Sequence, residues 1–597
     1  MTVRERVAGL AAGSGRTKRW PIRRSATTDG AAVLGLYLLV AMVYIGRFAL
    51  PSPAGGTLGT GPDVQIFLWG LRWWPYALAH GVDPFVAHVV WAPFGSNILW
   101  TTTVPAISLL IAPVTILLGP AVAWNVLCVL APALGAWAAY LLCRELTGRL
   151  WPSAFGGALF GFSSFQLAEG LAHLQVAMDL CVPLAAWMIA RHVHGRLSGK
   201  ELALRLGAIA ILEFLISPEI LATMVLFGAI LAAGAYFVRP CERATLRRTV
   251  TAALGGLLGG VVVLSPLVVT MLRATPSYLL TTPVTYSTDL VNFVVPTRVS
   301  ELGAMWRSPV VDSFPGNLAE QGAYLGLPLL AIVVGFAVSG RRSPRGRLLL
   351  FMLLCSIVLS LGPRLTVAGH QSMWLPAALL ARVPLLADAL PGRFTLYTSL
   401  AAALIVGEWL TSAPSRLRTS VAPAIRRSTR AAFRPALAGL AALAIVPSAN
   451  AILWWKPTPA PIAHGTLNRL LPVGSNVLSL PFWNVGDRSL YAQAASGMHF
   501  NLVDGWLQLM PAQYGRVASF TNHLSFGELS GLHGSAPVAE FKRGLCRLRI
   551  HYMIVWNYSP RLLAVLRLTP VRAGNALVYR LPPCPEPPGA PVPPTRS

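Results

Sequence analysis

The chain is poor in charge. Of its 597 residues, 12% are Asp, Glu, Lys or Arg, and acids are the scarcer kind, 22 against 48 bases. Soluble domains carry about 25% charged residues, so an ordinary soluble domain is excluded in favour of a chain that lies mostly in a bilayer. Cysteine is sparse: seven residues, with no Cys-x-x-Cys pair and no metal-like cluster. That argues against a zinc module or a redox motif. Cys128, Cys143, Cys181 and Cys355 fall in apolar runs and are expected to be inert. No P-loop, Gly-x-Ser-x-Gly, His-Glu-x-x-His or dinucleotide fingerprint stands in a fitting context, so cytosolic ATP chemistry has no site. A cleavable signal is not expected. The first apolar run begins near Ala31, is ~20 residues long, and no small-residue cleavage pattern follows it.

What is abundant is apolar length. The chain is 54% hydrophobic with mean hydropathy +0.59. Eleven apolar stretches are predicted to span, at about 31–50, 121–143, 152–168, 173–190, 204–217, 219–238, 249–272, 322–340, 348–362, 394–411 and 433–453. The loops between them alternate in chemistry. One set is crowded with arginine: Arg144 and Arg149; Arg191, Arg196, Lys200 and Arg205; Arg239, Arg243, Arg247 and Arg248; Arg341, Arg342, Arg345 and Arg347; Arg416, Arg418, Arg426, Arg427 and Arg430. The other set holds most of the loop carboxylates and histidines. Positive-inside sorting accounts for this alternation and for the net charge of +26 better than nucleic-acid binding does. It places the N-terminus in the cytoplasm and the C-terminus outside.

Residues 104–118 (VPAISLLIAPVTILL) test that count. As a span they would invert every later loop. Their ~15 residues reach only ~22 Å as a helix, short of a ~30 Å core, and two prolines interrupt them. They are expected to lie in or dip into the outer leaflet.

The expected organisation is a basic cytoplasmic N-terminus (1–30), a transmembrane domain (31–454) with a long first outer loop (51–120), a small extracytoplasmic α/β domain (455–584), and a Pro-rich tail (585–597). Strand-like runs in the outer domain are Val477–Leu480, Tyr552–Val555 and Ala576–Leu581. Cys546 and Cys584 both fall there, where a disulfide can persist, although spacing alone does not pair them.

The most distinctive stretch is the first outer loop. It carries Asp63-Val64-Gln65-Ile66-Phe67, Trp73-Trp74-Pro75 and Pro93-Phe94-Gly95-Ser96-Asn97. Further on stand Leu118-Gly119-Pro120, Ala172-His173-Leu174, Glu320 with Tyr324-Leu325-Gly326, and Pro391-Gly392-Arg393-Phe394. Together these resemble the bacterial polytopic glycosyltransferases of the GT-C class. The resemblance implies an α-helical polytopic membrane fold with about eleven spans and an outer C-terminal domain, set in the plasma membrane. It also implies a polyprenyl-phosphate sugar as donor, a cell-envelope glycan or protein as acceptor, and transfer on the outer face, with Asp63 as the catalytic acid residue. Some members of the class carry paired acids in this loop. Here Asp63 stands alone behind Pro62, so no cofactor is implied, and a divalent cation stays an open alternative.

Inverting sugar transfer needs a base for the acceptor hydroxyl and cations for the departing lipid phosphate. The expected base is Asp63. The outer arginines are few (Arg72, Arg273, Arg298, Arg307, Arg382 and Arg393), and Arg393 and Arg307 are the donor-phosphate candidates. For Arg393 a membrane anchor or an ion pair with Asp388 is the alternative. Gln65, Asp83, Glu169, His173 and Glu320 are candidate substrate ligands, with Glu219 as a further one for acceptor hydroxyls or a cation; Asp83 and His88 could ligate a metal with Asp63, although no fixed spacing supports that. Asp179, Glu213 and Glu408 fall in or near spans, where ionisable groups are costly. Trp69, Trp73, Trp74 and Tyr76 are expected to sit at the membrane interface. Phe482-Trp483, Tyr491-Ala492-Gln493 and Asp504-Gly505-Trp506 could stack on sugars or form a core. Two other functions compete with the transferase: a transporter or flippase of lipid-linked glycans, and a catalytically silent membrane scaffold.

Overall fold

The computed structural model describes residues 26–59, 61, 63–274, 282–383, 386–411, 423–448, 455–480, 488–505, 507, 511, 535–556 and 568–584. The basic stretch 1–25, Pro62, the Phe482-Trp483 pair, Trp506 and the tail 585–597 lie outside the described residues.

In chain order, leaving aside the short helix Glu301–Trp306 and the helices of the C-terminal part, the described helices are α1 (Ala26–Tyr44), α2 (Asp63–Ala79), α3 (Pro105–Leu110), α4 (Ala112–Leu118), α5 (Pro120–Thr147), α6 (Leu150–Gly161), α7 (Ser164–Glu169), α8 (Leu174–Ala177) and α9 (Cys181–Val193). There follow α10 (Gly199–Phe214), α11 (Pro218–Val238), α12 (Arg243–Arg273), α13 (Leu327–Gly340), α14 (Pro344–Ser360), α15 (Thr395–Thr411) and α16 (Pro423–Ala444). Within the described residues, each of the eleven apolar stretches is built on helix. Among the described residues, five helices are long and apolar enough to cross a membrane: Pro120–Thr147, Leu174–Val193, Pro218–Val238, Pro240–Arg273 and Pro391–Thr411.

The local causes are plain. A Ser198–Glu201 capping box starts α10. Ser217 caps α11, with Pro218 at its first turn. The third and fourth apolar stretches are each broken near the site. Ser163 accepts the Gln166 N–H and starts α7 where α6 has ended. Met178 ends α8 before α9 begins. Residues 104–118 form two helices, α3 and α4, meeting at Ile111, rather than one span.

Charge sorts along individual helices. α11 opens on Glu219 and ends at Arg239. α12 opens on Arg243. Arg144 lies in the last turn of α5 and Arg191 in that of α9. The ion pairs Arg196–Glu145 and Arg345–Glu408 (2.8 and 2.7 Å) belong to this arginine-bearing end.

The C-terminal part contains a five-stranded mixed sheet. Two short strands outside it, β1 (Gly56–Leu58) and β2 (Trp455–Pro457), pair antiparallel and tie the first loop to the start of this part. The sheet strands are β3 (Asn476–Leu480), β4 (Asn501–Leu502), β5 (Tyr552–Trp556), β6 (Val571–Ala573) and β7 (Ala576–Arg580), in the order β6-β7-β5-β3-β4. β3 is parallel to β4 and to β5, and β7 is antiparallel to β5 and β6. Cys546 and Cys584 are disulfide-bonded, with Cα atoms 5.4 Å apart.

One expectation about the first loop is corrected. Trp69, Trp73 and Trp74 do not sit at a membrane interface. They are 0%, 1% and 6% exposed and share one apolar core with the sheet, through Leu478, Leu502, Ile554 and others. Each indole N–H has a partner in protein: Gln493 at 2.7 Å for Trp69, the Pro84 carbonyl at 2.8 Å for Trp73, and the Thr103 hydroxyl at 3.0 Å for Trp74. Sealing such rings away from water is worth about 1.5–3 kcal/mol each, which fastens α2 under the sheet.

Candidate active site

Asp63 is the first residue of α2, where the helix dipole favours a carboxylate. Its side chain is 31% exposed, and its Oδ2 lies 3.2 Å from His173 Nε2. His173 comes from the turn between α7 and α8. The main chain folds back there, because the His173 N–H donates to the Glu169 carbonyl at 2.7 Å. The ring repeats the contact, with Nδ1 2.7 Å from Glu169 Oε2 and 3.5 Å from Glu320 Oε1.

Glu320 is delivered by a separate loop. Asn317 Oδ1 accepts the Ala319 and Glu320 N–H groups and sets a short turn. The loop presses so closely on α7 that a Cβ at Gly322 would lie 2.7 Å from the Phe165 Cα. Arg393 arrives the same way. Gly392 N–H donates to the Tyr286 carbonyl at 2.9 Å, and a Cβ at Gly392 would stand 3.1 Å from that oxygen and 3.2 Å from the Glu320 carbonyl oxygen. The guanidinium then donates to Glu320 Oε1 from Nη2 (2.7 Å) and Nε (3.2 Å), and from Nη1 to Glu219. Glu219 in turn accepts the Leu390 N–H at 3.0 Å.

The result is a continuous network, Asp63–His173–Glu169/Glu320–Arg393–Glu219. Burial would lower the His173 ring, but Glu169, Asp63 and Glu320 outweigh it and raise its pKa to about 10. Burial, and then the Glu320 charge, push the Glu169 carboxyl up to about 7 against the pull of His173 and Arg393. Burial also raises Glu320, yet Arg393 and His173 hold it below its ordinary value. Near neutral pH the imidazole is therefore a cation bridging carboxylates.

The network forms one wall of a cavity of about 710 Å³. Asp63, His173, Glu219, Glu320, Asp388 and Arg393 line its polar side, and Trp74, Phe85, Trp100, Leu267 and Met271 line an apolar side. Glu169, His173 and Glu320 offer ligand atoms within 4.8 Å of one another. As arranged, this trio does not suit a resident metal. Arg393 already stands 2.7 Å from Glu320 and 3.9 Å from Glu169, so a guanidinium occupies the place beside these carboxylates that a cation would take.

Of the residues singled out from sequence, Asp63, His173, Glu219, Glu320 and Arg393 come together at this wall. Glu169 belongs to the network but lies behind His173, 1% exposed. Three glutamates, Glu169, Glu219 and Glu320, stand within ion-pair distance of Arg393. Gln65, Asp83 and Arg307 do not line the cavity. Gln65 turns toward the C-terminal part and accepts the Tyr491 N–H at 3.4 Å. Asp83 is exposed and accepts the Phe85 N–H at 2.8 Å. Arg307 is exposed at a left-handed turn, its Nε donating to the Ala304 carbonyl at 3.2 Å. Asp179 and Glu213 are buried and do not line the cavity. Tyr491 and Gln493 are core residues. Sequence reasoning passed over Trp100 and Met271, which close one side of the cavity together. The Trp100 indole N–H donates to the Met271 carbonyl at 3.0 Å across 171 positions, and no sequence signal links them.

A family model described as a domain of unknown function, DUF6311, matches residues 32–446. No curated protein matches the sequence. Solved structures do. The cryo-EM structure of arabinofuranosyltransferase AftD from Mycobacteria is 16% identical with TM-score 0.51, over 92% of this chain and 41% of that one. ArnT from Cupriavidus metallidurans bound to undecaprenyl phosphate is 13% identical with TM-score 0.48, over 93% and 98%. The oligosaccharyltransferase AglB from Archaeoglobus fulgidus, in complex with an inhibitory peptide and a dolichol-phosphate, is 13% identical with TM-score 0.49, over 89% and 70%. At such identities the likeness is one of fold, and the AftD match carries it: this is a GT-C-like membrane fold.

Proposed function

The chain belongs to the DUF6311 family, and from that premise we propose that it is a membrane glycosyltransferase acting on the outer face. It moves a sugar from a polyprenyl-phosphate donor to a cell-envelope acceptor, with Asp63 as general base. One observation carries the reading. Asp63 stands on the wall of a 710 Å³ cavity that is polar on the Asp63 side and apolar along Trp74, Trp100, Leu267 and Met271. A lipid-linked sugar has the same division.

In the reaction the acceptor hydroxyl oxygen bonds to the anomeric carbon and its proton passes to the Asp63 carboxylate. The bond from the anomeric carbon to the phosphate oxygen breaks, and its electron pair leaves with the lipid phosphate. Arg393 and His173 supply positive charge to this wall, and Glu219 and Glu320 hold the guanidinium in place. The finer topology belongs to the same proposal: eleven spans, N-terminus inside, and residues 455–584 as an outer α/β domain. The structural likenesses support it in kind, since the AftD, ArnT and AglB names are those of glycosyl transfer or of proteins holding polyprenyl phosphates.

The test uses the purified full chain in lipid nanodiscs. It is given synthetic polyprenyl-phosphate pentoses and hexoses together with a cell-envelope extract, and release of polyprenyl phosphate is followed. Asp63→Asn is expected to lower turnover at least about 10²-fold with an unchanged melting temperature. Wild-type turnover in that variant would end the assignment.

A further inference from the structure

His173 and Glu169 stand in the sequence as candidate substrate ligands, but their contacts suit them to another task. The His173 side chain is 5% exposed and Glu169 1%. Both ring nitrogens of His173 face carboxylates, Nδ1 toward Glu169 and Nε2 toward Asp63. Its main-chain N–H is tied to the Glu169 carbonyl as well. The ring is therefore held through both of its nitrogens and cannot turn to meet a ligand without breaking one of these contacts. Asp63, by contrast, is partly open to the cavity. A base delivers its catalysis only when its acceptor oxygen is aimed at the reacting hydroxyl.

We propose that His173 is a positioning residue: anchored through Nδ1 by Glu169, it donates Nε2–H to Asp63 Oδ2 and so fixes the plane in which the carboxylate meets the acceptor. The inference rests on Asp63 being the base. Glu169 acts one step further back by holding the ring in the orientation that points Nε2–H at Asp63. The groups facing the ring are Asp63 from α2, Glu169 from α7 and Glu320 from the 317–321 loop, with Arg393 behind Glu320. Three carboxylates around one imidazole keep both ring protons in place near neutral pH.

Kinetics with the donor that turns over in the nanodisc assay separate this role from substrate binding. His173→Ala is expected to lower kcat about 10²-fold with the donor KM within about twofold. His173→Gln keeps an amide N–H near the Nε2 position and is expected to recover about tenfold of that loss. Glu169→Leu is expected to fall with His173→Ala. A rise in KM with kcat retained would make His173 a substrate ligand and overturn the inference. Asp63→Asn is run beside them. If it turns over normally, both the base and its positioning residue fall; if it is dead while His173→Ala keeps its kcat, only the positioning role falls. A second readout needs neither substrate nor a folded alanine variant. In the native chain labelled with ¹⁵N-histidine, the His173 ring, recognised as the signal missing from His173→Gln, is expected to keep both protons to about pH 9. Loss of a proton near about pH 6.5 would mean that the ring does not bridge two carboxylates, and the inference would fail.

Discussion

At the scale of the residue, the site is a problem of charge taken out of water. Glu169, Glu320 and Arg393 are all nearly sealed, and charges so placed persist only when paired and hydrogen-bonded. The network solves this by interleaving signs, acid–imidazolium–acid–guanidinium–acid. Its dependence on pH has a definite sign. His173 holds its proton more tightly in the fold, at about 10, than in an unfolded chain at about 6.5. The stability it adds is complete below the unfolded value and is lost as pH rises through the folded one. Glu169, raised to about 7, behaves alike at lower pH: its contribution is complete below the ordinary carboxylate value and is lost as pH passes about 7. Glu320, held down by Arg393, runs the other way and loses its contribution on acidification. Between about pH 7 and about pH 10 the melting temperature of the wild type should therefore fall toward that of His173→Gln, and the gap between them should narrow. A gap that stays constant across that range in thermal melts would show that the imidazole is not the charged centre of the cluster.

At the scale of the element, the decisive piece is α2, which carries Asp63 at its head and three buried tryptophans along its length. Gln493 fastens it. Its Oε1 accepts the Trp69 indole N–H at 2.7 Å, and its Nε2 donates to the Val89 and Phe500 carbonyls, both at 2.7 Å. Gln493→Leu would orphan one buried donor, the Trp69 indole N–H, and one buried acceptor, the Phe500 carbonyl, each worth about 1–3 kcal/mol when left unmade, while the Val89 carbonyl keeps the Leu502 N–H at 2.8 Å. A loss of about 3 kcal/mol is expected, read as a lower melting temperature by tryptophan fluorescence, together with lower transfer because the helix bearing Asp63 loosens. An unchanged melt would separate the loop from the sheet. The same helix marks where the sequence is readable. The apolar stretches and the sheet strands β3, β5 and β7 announce themselves through local pattern, since hydrophobic run length and β-branched alternation are short-range signals. Asp63, His173, Glu320 and Arg393 also stood out locally, as polar residues at the ends of apolar runs. Their partners did not. Nothing near Trp69 foretells Gln493, 424 positions away. An aromatic run beside a span reads equally well as an interfacial belt, and only the sheet laid over it decides for a core. The partners of Arg393 were hidden in the same manner, because Asp388 is its near neighbour in sequence while Glu219 and Glu320 are paired with it from distant positions.

At the scale of the whole molecule, everything depends on which side of the bilayer each helix end meets. The fold gives both ends a chemical label. The site residues Asp63, His173, Glu219 and Arg393 lie at one end of their helices, and Arg144, Arg191, Arg239 and Arg243 lie at the other. In the proposed topology the arginine end faces the cytoplasm, as positive-inside sorting expects. The break at Ile111 supports the same parity, because α3 and α4, with six and seven residues, reach only about 9–11 Å each and cannot replace a span. The cysteines allow a direct check in the native chain. Cys241 is exposed and sits between Arg239 and Arg243, at the arginine end. Cys546 and Cys584 form the disulfide of the C-terminal part, a bond that persists in an oxidising compartment. In right-side-out membrane vesicles, a membrane-impermeant maleimide is expected to leave Cys241 unlabelled until the membrane is permeabilised. After mild reduction with an impermeant phosphine, Cys546 and Cys584 are expected to label from outside, as mass spectrometry of the peptides would report. Labelling of Cys241 in sealed vesicles would turn the molecule over, put Asp63 and its cavity on the cytosolic side, and remove the basis for an outer-face transferase.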